Sequence, residues 1–140
     1  MTTETVAMLE ALYTAYREKR LADVLDHLAG DFRFTLHLPP AAVPGAGVPQ
    51  DKQRTQAMLQ AFIDSYDFLT YDPGAILVEG EQATAHPLIR YRHKATGEVI
   101  ETRMAHLWVV RNGKAVELDE YLNVGRVQAF LAKVSELSSG

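Results

Sequence analysis

The stretch of sequence that decides the fold is residues 104–123, which read MAHLWVVRNGKAVELDEYLN. Apolar and polar side chains alternate on both sides of Asn112-Gly113, which is the period of half-buried β-strands. The Asn-Gly pair is the strongest short-range signal for a tight hairpin turn. The stretch therefore predicts a hairpin between a strand over 98–110 and a last strand over 114–123.

Three more strand-like segments lie upstream of this hairpin. Residues 75–79 and 82–93 are separated by Gly80, and Thr96-Gly97 predicts a turn into the strand that starts at residue 98. Residues 31–38, DFRFTLHL, alternate in the same way and predict a first strand.

A proline-rich segment follows the first strand. Residues 39–51 contain four prolines and two glycines, so they form neither a helix nor a central strand. Long loops of this kind in compact domains serve as lids or binding loops, or simply connect elements across the surface. The sequence leaves both interpretations open.

Apolar residues at helical spacing predict three helices in the N-terminal half, at 4–19, 21–28 and 52–66, and a short C-terminal helix at 124–137. Helices and strands do not alternate, which excludes a parallel doubly wound sheet. We expect an α+β fold in which a strongly curved antiparallel sheet is wrapped by the three helices into a cone. The size of the chain predicts a single domain over 1–140.

Composition excludes several classes of protein. The chain has 140 residues, a net charge of −4 and no cysteine, so disulfide frameworks and thiol chemistry are excluded. No Lys/Arg run suggests a nucleic-acid partner, and no apolar run is long enough to span a bilayer. The first residues lack the features of a signal peptide. We expect a cytoplasmic protein that binds neither nucleic acid nor membrane.

One carboxylate stands out in the last strand. Val116, Leu118, Glu120 and Leu122 share one face, which is apolar except for Glu120. A carboxylate in such a row is paired, protonated or functional, unless it lies in water at the end of the sheet. The hairpin turn decides what lies opposite this carboxylate.

Two turns fit the hairpin. A three-residue loop, Arg111-Asn112-Gly113, places Glu120 diagonally across from His106 on the same face of the sheet. A two-residue Asn-Gly turn places the two side chains on opposite faces. The pattern alone does not choose between the two turns.

Nearly the whole chain resembles the nuclear transport factor 2-like superfamily, in particular its SnoaL-like and ketosteroid isomerase-like members. The resemblance is carried by residues 104–123, where an apolar strand, a Gly-Lys hairpin and an acidic-Tyr segment follow one another as they do at the end of the family's domain. Limonene epoxide hydrolase is similar in fold, and its aspartate before a Tyr-Phe-Asp sequence matches Glu120. That match favours the three-residue turn.

The resemblance also implies positions for chemistry in a cone-shaped pocket. Tyr13 falls where the steroid isomerases have a tyrosine that binds a developing oxyanion, and His37 falls at the position of their general base. His106 falls at the position of their second oxyanion donor, which is a carboxylic acid. The two histidines replace carboxylic residues, so the resemblance does not imply steroid isomerisation itself.

We therefore expect a cofactor-independent acid–base enzyme of the isomerase, cyclase or dehydratase type, acting on a small apolar carbonyl or polyketide- or steroid-like compound. The predicted catalytic residues are His37, His106, Glu120 and Tyr13. The predicted substrate-binding residues are Tyr16, Met58, Phe62, Tyr91, Met104, Trp108, Leu118 and Leu122.

The same residues leave two alternative functions open. The same pocket suits a non-catalytic module for hydrophobic-ligand binding or dimerisation. A metal site built from His37, His106 and Glu120 ranks third, because two histidines and a carboxylate suit a non-haem metal but are not clustered in sequence. We expect no bound metal and no cofactor. Leu107, Val109 and Tyr121 on the outer sheet face, together with the resemblance, predict a homodimer.

Overall fold

The structure, a computed structural model, describes residues 2–139, the last of them by its backbone alone. Across these residues four helices and eight strands follow one another. The helices are α1 (Thr2–Arg17), α2 (Leu21–Asp26), α3 (Lys52–Ser65) and α4 (Val124–Ser139). The strands are β1 (Leu28–His37), β2 (Tyr66–Asp72), β3 (Leu77–Glu79), β4 (Gln82–Ala85), β5 (Leu88–His93), β6 (Val99–Arg103), β7 (Ala105–Arg111) and β8 (Lys114–Tyr121).

The strands form two curved, open sheets. One has five strands in the order β1-β8-β7-β4-β3, and the other has three in the order β2-β5-β6. This confirms the predicted α+β class, with three helices in the N-terminal half and one at the C-terminal end. One pairing differs from the predicted antiparallel sheet, because β1 pairs with β8 in parallel. The two strands come from opposite ends of the chain, and everything between them supplies the crossover that a parallel pair needs.

A single long hairpin links the two sheets. Its register continues from Ala85 opposite His106 to Leu88 opposite Arg103, and the Met104 amide donates to the Pro87 carbonyl at 2.8 Å. Pro87 has no backbone N–H, so it donates no hydrogen bond to the opposite strand. Each long strand breaks here, so that β4 and β7 enter the larger sheet while β5 and β6 enter the smaller one. The bend turns the two sheets around a common hollow.

The sequence pattern assigned no element to residues 67–72, which together with Tyr66 form β2. Helix α3 ends at Ser65, one residue before the predicted end, and β2 pairs with β5. The register shifts between Phe68 and Thr70, so the apolar residues of β2 do not keep a period of two. That irregularity hides the strand from a search for alternation.

The proline-rich segment is fastened to the edge of β1. Gln50 forms an antiparallel bridge with Phe34, and the Gly47 amide donates to the Leu36 carbonyl at 2.8 Å. The Gln50 side chain donates to the Gly45 carbonyl at 2.9 Å and holds the segment closed. The segment covers an otherwise open sheet edge, which fits a connecting role that also protects the edge.

The turn between β7 and β8 has two residues and not three. Asn112 and Gly113 both have positive φ, at 53° and 77°, and Arg111 pairs with Lys114. The expectation of a three-residue turn is therefore wrong. Glu120 nevertheless lies directly opposite His106, because the register shifts by one residue beyond Val110. This β-bulge reverses the phase of β8 and brings both side chains to one face.

Helix α4 begins at a capped end beside the smaller sheet. The Asn123 side chain accepts a hydrogen bond from the Arg126 amide at 2.9 Å, and the Arg126 guanidinium donates to the Glu101 carbonyl of β6 at 3.0 Å. The predicted C-terminal helix is confirmed and extends to Ser139. None of the described helices is sufficiently long and apolar to cross a bilayer.

The turn gives a direct test of the hairpin geometry. We expect Gly113→Ala to lower the free energy of unfolding by about 1–2 kcal/mol, since an L side chain is strained at positive φ. A Cβ at Gly113 meets no atom within 4 Å, so the loss reports backbone conformation and not a clash. Gly30→Ala in β1, where a Cβ also meets nothing within 4 Å, is the matched control. Equal stabilities of the two variants in urea unfolding would contradict this turn.

Candidate active site

A cavity of about 130 Å³ lies between the concave sides of the two sheets and the helices. Its wall is mostly aliphatic and aromatic, and all four helices contribute to it. Among the described residues that line it, Glu120 is the one carboxylate and His106 the one imidazole. A carboxylate in such surroundings needs polar partners, because burying an unpaired charge is costly.

A chain of hydrogen bonds supplies those partners. The Trp108 indole N–H donates to the Tyr13 hydroxyl at 2.9 Å, and that hydroxyl lies 2.6 Å from His106 Nδ1. On the other side of the ring, His106 Nε2 lies 2.7 Å from Glu120 Oε1. Four side chains from α1, β7 and β8 thus form one continuous polar chain in the apolar wall.

The four hydrogen-bonded side chains are buried except at the Glu120 end; Trp108, at the other end, is 3% exposed. His106 is only 2% exposed, whereas the side chain of Glu120 is 17% exposed. Every fully buried side-chain nitrogen or oxygen among the described residues has a hydrogen-bond partner. Within residues 2–139, Glu120 Oε2 has no hydrogen-bond partner. Oε2 is therefore accessible. It can accept a hydrogen bond or a proton from a molecule that enters the cavity.

Four buried tyrosines are affected by the charge of the Glu120 carboxylate. Burial raises the pKa of Tyr13, Tyr16, Tyr71 and Tyr91, and the nearby charge of Glu120 raises each pKa further. A hydrogen bond from Tyr91 acts in the opposite direction on the pKa of Tyr16, but burial dominates. These phenols remain neutral and keep their protons at physiological pH.

The structure brings together three of the four predicted catalytic residues, namely Tyr13, His106 and Glu120. Helix α1 supplies the first, and the β7–β8 hairpin supplies the other two. Seven of the eight predicted substrate-binding residues line the cavity: Tyr16, Phe62, Tyr91, Met104, Trp108, Leu118 and Leu122.

Met58 is the exception among the predicted wall residues. Thr55, Leu59 and Phe62 form the face of α3 that lines the cavity. The Met58 sulfur instead lies 3.4 Å from the place of a Cβ at Gly45, under the proline-rich segment. The prediction that Met58 lines the pocket is therefore wrong, because this side chain packs against the loop that follows β1.

His37 does not lie in the cavity, so the expectation that it converges there with His106 and Glu120 is wrong. Its side chain is 34% exposed on the outer face of the larger sheet, where Nε2 is 2.8 Å from Asp119 Oδ1. The ring stacks on Tyr121 at 4.0 Å. The alternation in β1 explains this position, since Phe34 and Leu36 point inward and His37 between Leu36 and Leu38 points outward.

Sequence reasoning missed part of the cavity wall. Tyr71 lies on β2, a strand that the sequence pattern does not indicate. Val127, Phe130 and Leu131 of α4 also line the cavity, and their helical spacing was the available signal. The bond from Trp108 to Tyr13 joins residues 95 apart in sequence, so no local pattern reveals it.

The three residues of the alternative metal site, His37, His106 and Glu120, do not all come together. Among the described residues, no group of three or more His, Asp or Glu side chains lies close enough to hold an ion. His37 and the pair formed by His106 and Glu120 occupy opposite faces of the larger sheet.

The chain belongs to the SnoaL-like domain family, whose sequence model matches residues 9–118. No curated protein matches the sequence. Among solved structures, a nuclear transport factor 2-like protein from Burkholderia xenovorans has a TM-score of 0.79 at 19% identity, with 94% of this chain and 98% of that chain covered. Such similarity confirms the cone fold of the superfamily.

Two further solved structures carry names that refer to an activity. A proposed isomerase from Rhodopseudomonas palustris has a TM-score of 0.77 at 17% identity, covering 89% of this chain and 92% of its own. IdmH, a proposed polyketide cyclase from Streptomyces antibioticus, has a TM-score of 0.75 at 22% identity, covering 91% of this chain and 98% of its own. At these identities the likeness shows the fold alone, and no specific activity follows from it.

The buried tyrosines predict a particular response to alkali. Burial raises the pKa of Tyr13, Tyr16, Tyr66, Tyr71 and Tyr91 in the folded protein, whereas the unfolded chain ionises near pH 10. Above about pH 10 the unfolded state binds fewer protons than the folded state, so the free energy of unfolding falls as the pH rises. We expect the phenolate absorbance of these five tyrosines to appear together with the loss of circular dichroism. Ionisation of most tyrosines in a protein that is still folded would contradict this burial.

Proposed function

We propose that the chain is a cofactor-independent acid–base enzyme of the isomerase, cyclase or dehydratase type, which acts on a small apolar carbonyl or polyketide- or steroid-like compound. One observation carries the proposal. Glu120 lies in the wall of an apolar cavity with one carboxylate oxygen held by His106 and the other accessible.

Glu120 is the general base in this proposal. A base must come within hydrogen-bond reach of the proton that it removes, and Oε2 is free to do so. The carboxylate takes a proton from the carbon next to a carbonyl group, and the C–H electron pair forms the double bond of an enolate. The imidazole of His106 orients the carboxylate through Oε1. Return of the proton to another carbon gives an isomerase, whereas attack of the enolate on a second carbonyl gives a cyclase.

Tyr16 is the donor that we assign to the enolate oxygen. The Tyr13 hydroxyl already has two partners, the Trp108 indole and His106 Nδ1, whereas the Tyr16 side chain lines the same cavity and has neither of these partners. Burial raises the pKa of Tyr16, which keeps its phenol protonated. A neutral phenol in a dry site stabilises developing negative charge more than the same group does in water.

The wall also limits the class of substrate. Apolar and aromatic side chains bind a flat, poorly hydrated molecule, and the charge of Glu120 disfavours a ligand that is itself an anion. The volume of about 130 Å³ limits the ligand to a small, compact molecule. A neutral compound of one or two rings with a ketone meets these limits. Family neighbours described as a proposed isomerase and a proposed polyketide cyclase support the same class.

A non-catalytic module for hydrophobic-ligand binding or dimerisation is the second candidate. The same apolar wall favours retention of a ligand, whether or not chemistry follows. The two candidates differ in what Glu120 does. A binder keeps its affinity when the carboxylate becomes an amide, whereas the base loses its function.

The test uses β-tetralone, a neutral bicyclic ketone, in heavy water. We expect the protein to accelerate the exchange of the hydrogens next to the carbonyl for deuterium. Proton magnetic resonance measures the rate of this exchange. Glu120→Gln should reduce the accelerated rate by about 10²–10⁴-fold, the usual contribution of a general base. Glu117→Gln is the matched control, because Glu117 lies on the same strand and pairs with Arg33 and Val109 away from the cavity.

Binding is measured in the same samples. Trp108 is the single tryptophan of the chain and lines the cavity, so its fluorescence reports entry of β-tetralone. Fluorescence quenching without any exchange above the buffer rate would reject the enzyme and leave the binding module. Equal exchange rates for the wild type and Glu120→Gln would reject Glu120 as the base.

We further propose that the protein is a cytoplasmic homodimer that pairs through the outer face of the larger sheet. A row of paired residues runs across this face from β3 to β1: Leu77, Thr84, Leu107, Asp119 and Thr35. Leu107 is 45% exposed in the single chain, and Tyr121 on the neighbouring row is 42% exposed. Val109 lies on the same strand and face as Leu107. Apolar side chains that lie together among charges on a sheet face favour pairing with a second copy.

Sedimentation velocity at micromolar concentration tests the dimer. We expect the wild type to sediment as a dimer and Leu107→Glu as a monomer, because the new charge would be buried without a partner. Leu69→Glu is the control, since Leu69 is 38% exposed on β2 of the other sheet and should leave the dimer intact. A monomeric wild type would reject the dimer.

A further inference from the structure

We infer that Trp108 is a positioning residue whose indole N–H acts through the Tyr13 hydroxyl to fix the tautomer of His106. In that tautomer the ring proton is on Nε2 and points at Glu120. The importance of this for catalysis rests on the proposed function, but the tautomer itself is a property of the folded protein and is measured without a substrate.

The Trp108 indole determines which group donates in each of these hydrogen bonds. An indole N–H donates and never accepts, so Trp108 must donate to the Tyr13 oxygen at 2.9 Å. A phenol has one hydrogen to give. Within residues 2–139, Tyr13 has only one other hydrogen-bond partner, which is His106 Nδ1 at 2.6 Å. The Tyr13 hydrogen therefore goes to Nδ1, and Nδ1 is an acceptor.

The opposite arrangement leaves a buried hydrogen without a partner. With a proton on Nδ1, the Tyr13 oxygen would accept from both the indole and the imidazole. Its own hydrogen would then have no acceptor among the described residues, in a side chain that is 2% exposed. Leaving such a donor unsatisfied costs about 1–3 kcal/mol.

The tautomer decides what Glu120 can do. A neutral imidazole with Nδ1 as acceptor carries its proton on Nε2, which donates to Glu120 Oε1 at 2.7 Å. Oε1 then accepts this hydrogen bond and needs no proton of its own, and Oε2 remains available as a base. With the proton on Nδ1, the lone pair of Nε2 would face Oε1, and Glu120 would need a proton of its own. The indole thus sets which partner of the His106–Glu120 pair donates the hydrogen that lies between them.

Packing holds the three rings in this arrangement. Tyr13 and His106 are stacked at 5.6 Å with an angle of 12° between their planes. Trp108 meets both rings edge-on, at 5.9 Å and 84° in each case. His106 and Trp108 are two residues apart on β7 and share a face, and Trp108 is 3% exposed between Ala83 and Leu118 of the neighbouring strands.

Nitrogen-15 magnetic resonance of histidine-labelled protein tests the inference. Correlations between ring nitrogens and ring protons distinguish the two tautomers, and a His106→Gln sample assigns the His106 signals among the five histidines. We expect the proton of wild-type His106 on Nε2. In Trp108→Phe, which keeps an aromatic ring but loses the donor, we expect the ratio of Nε2–H to Nδ1–H tautomers to fall at least about fivefold.

Two further variants serve as a second test and as a control. Tyr13→Phe breaks the chain at its middle and should shift the ratio in the same direction. Tyr71→Phe removes a hydroxyl from a ring 6.0 Å from Tyr13 that has no part in the chain, and it should leave the tautomer unchanged. Circular dichroism confirms that each variant is folded, and Tyr13→Phe serves the test if Trp108→Phe does not fold.

The outcomes are distinct from those of the exchange assay. A wild-type His106 that carries its proton on Nδ1 overturns the inference, and so does an unchanged ratio in folded Trp108→Phe or Tyr13→Phe. An Nε2–H tautomer that shifts in these variants supports it, even when β-tetralone exchange is absent and the proposed enzyme is rejected. Exchange that depends on Glu120 without the tautomer shift would retain the enzyme and reject the role of Trp108.

Discussion

The hydrogen bond between His106 Nε2 and Glu120 Oε1 is the interaction on which the rest of the site depends. It allows a carboxylate to remain in a cavity whose other walls are largely apolar, because it replaces part of the hydration that the carboxylate loses. It also occupies one oxygen and leaves the second accessible. Without it, Glu120 would be either a buried unpaired charge or a side chain that turns toward solvent.

That bond exists because of two irregularities in the backbone. The β-bulge beyond Val110 shifts β8 by one residue and places Glu120 opposite His106. The bend at Pro87 and Met104 turns one long hairpin from the larger sheet into the smaller one and creates the hollow that Glu120 faces. Regular, flat strands would give neither the pairing nor the cavity, because a period of two would place the two side chains on opposite faces.

Most of the secondary structure could be predicted because its signals are local. Asn112-Gly113 predicted the hairpin, Pro39-Pro40 the end of the first strand, and the apolar spacing of α4 its helix. Strand β2 could not be predicted, because its own register shift breaks the alternation. The site was predicted in part: Tyr13, His106 and Glu120 meet, but His37 lies on the other side of the sheet. The resemblance to steroid isomerases placed His37 in the pocket, whereas the alternation of β1 with Phe34 and Leu36 buried placed it outside.

The sequence by itself determined the class of fold, the positions of most elements and the presence of one carboxylate in an apolar row, since each is written in neighbouring residues through side-chain periodicity and turn chemistry. Only the tertiary structure decided which faces meet. The partners of Glu120 and Tyr13 lie 14 and 93 residues away, and their encounter depends on a one-residue bulge that carries no sequence signal of its own. A shift of one residue reverses every side chain of a strand, so the chemistry of this cavity follows from a backbone detail and not from composition or pattern.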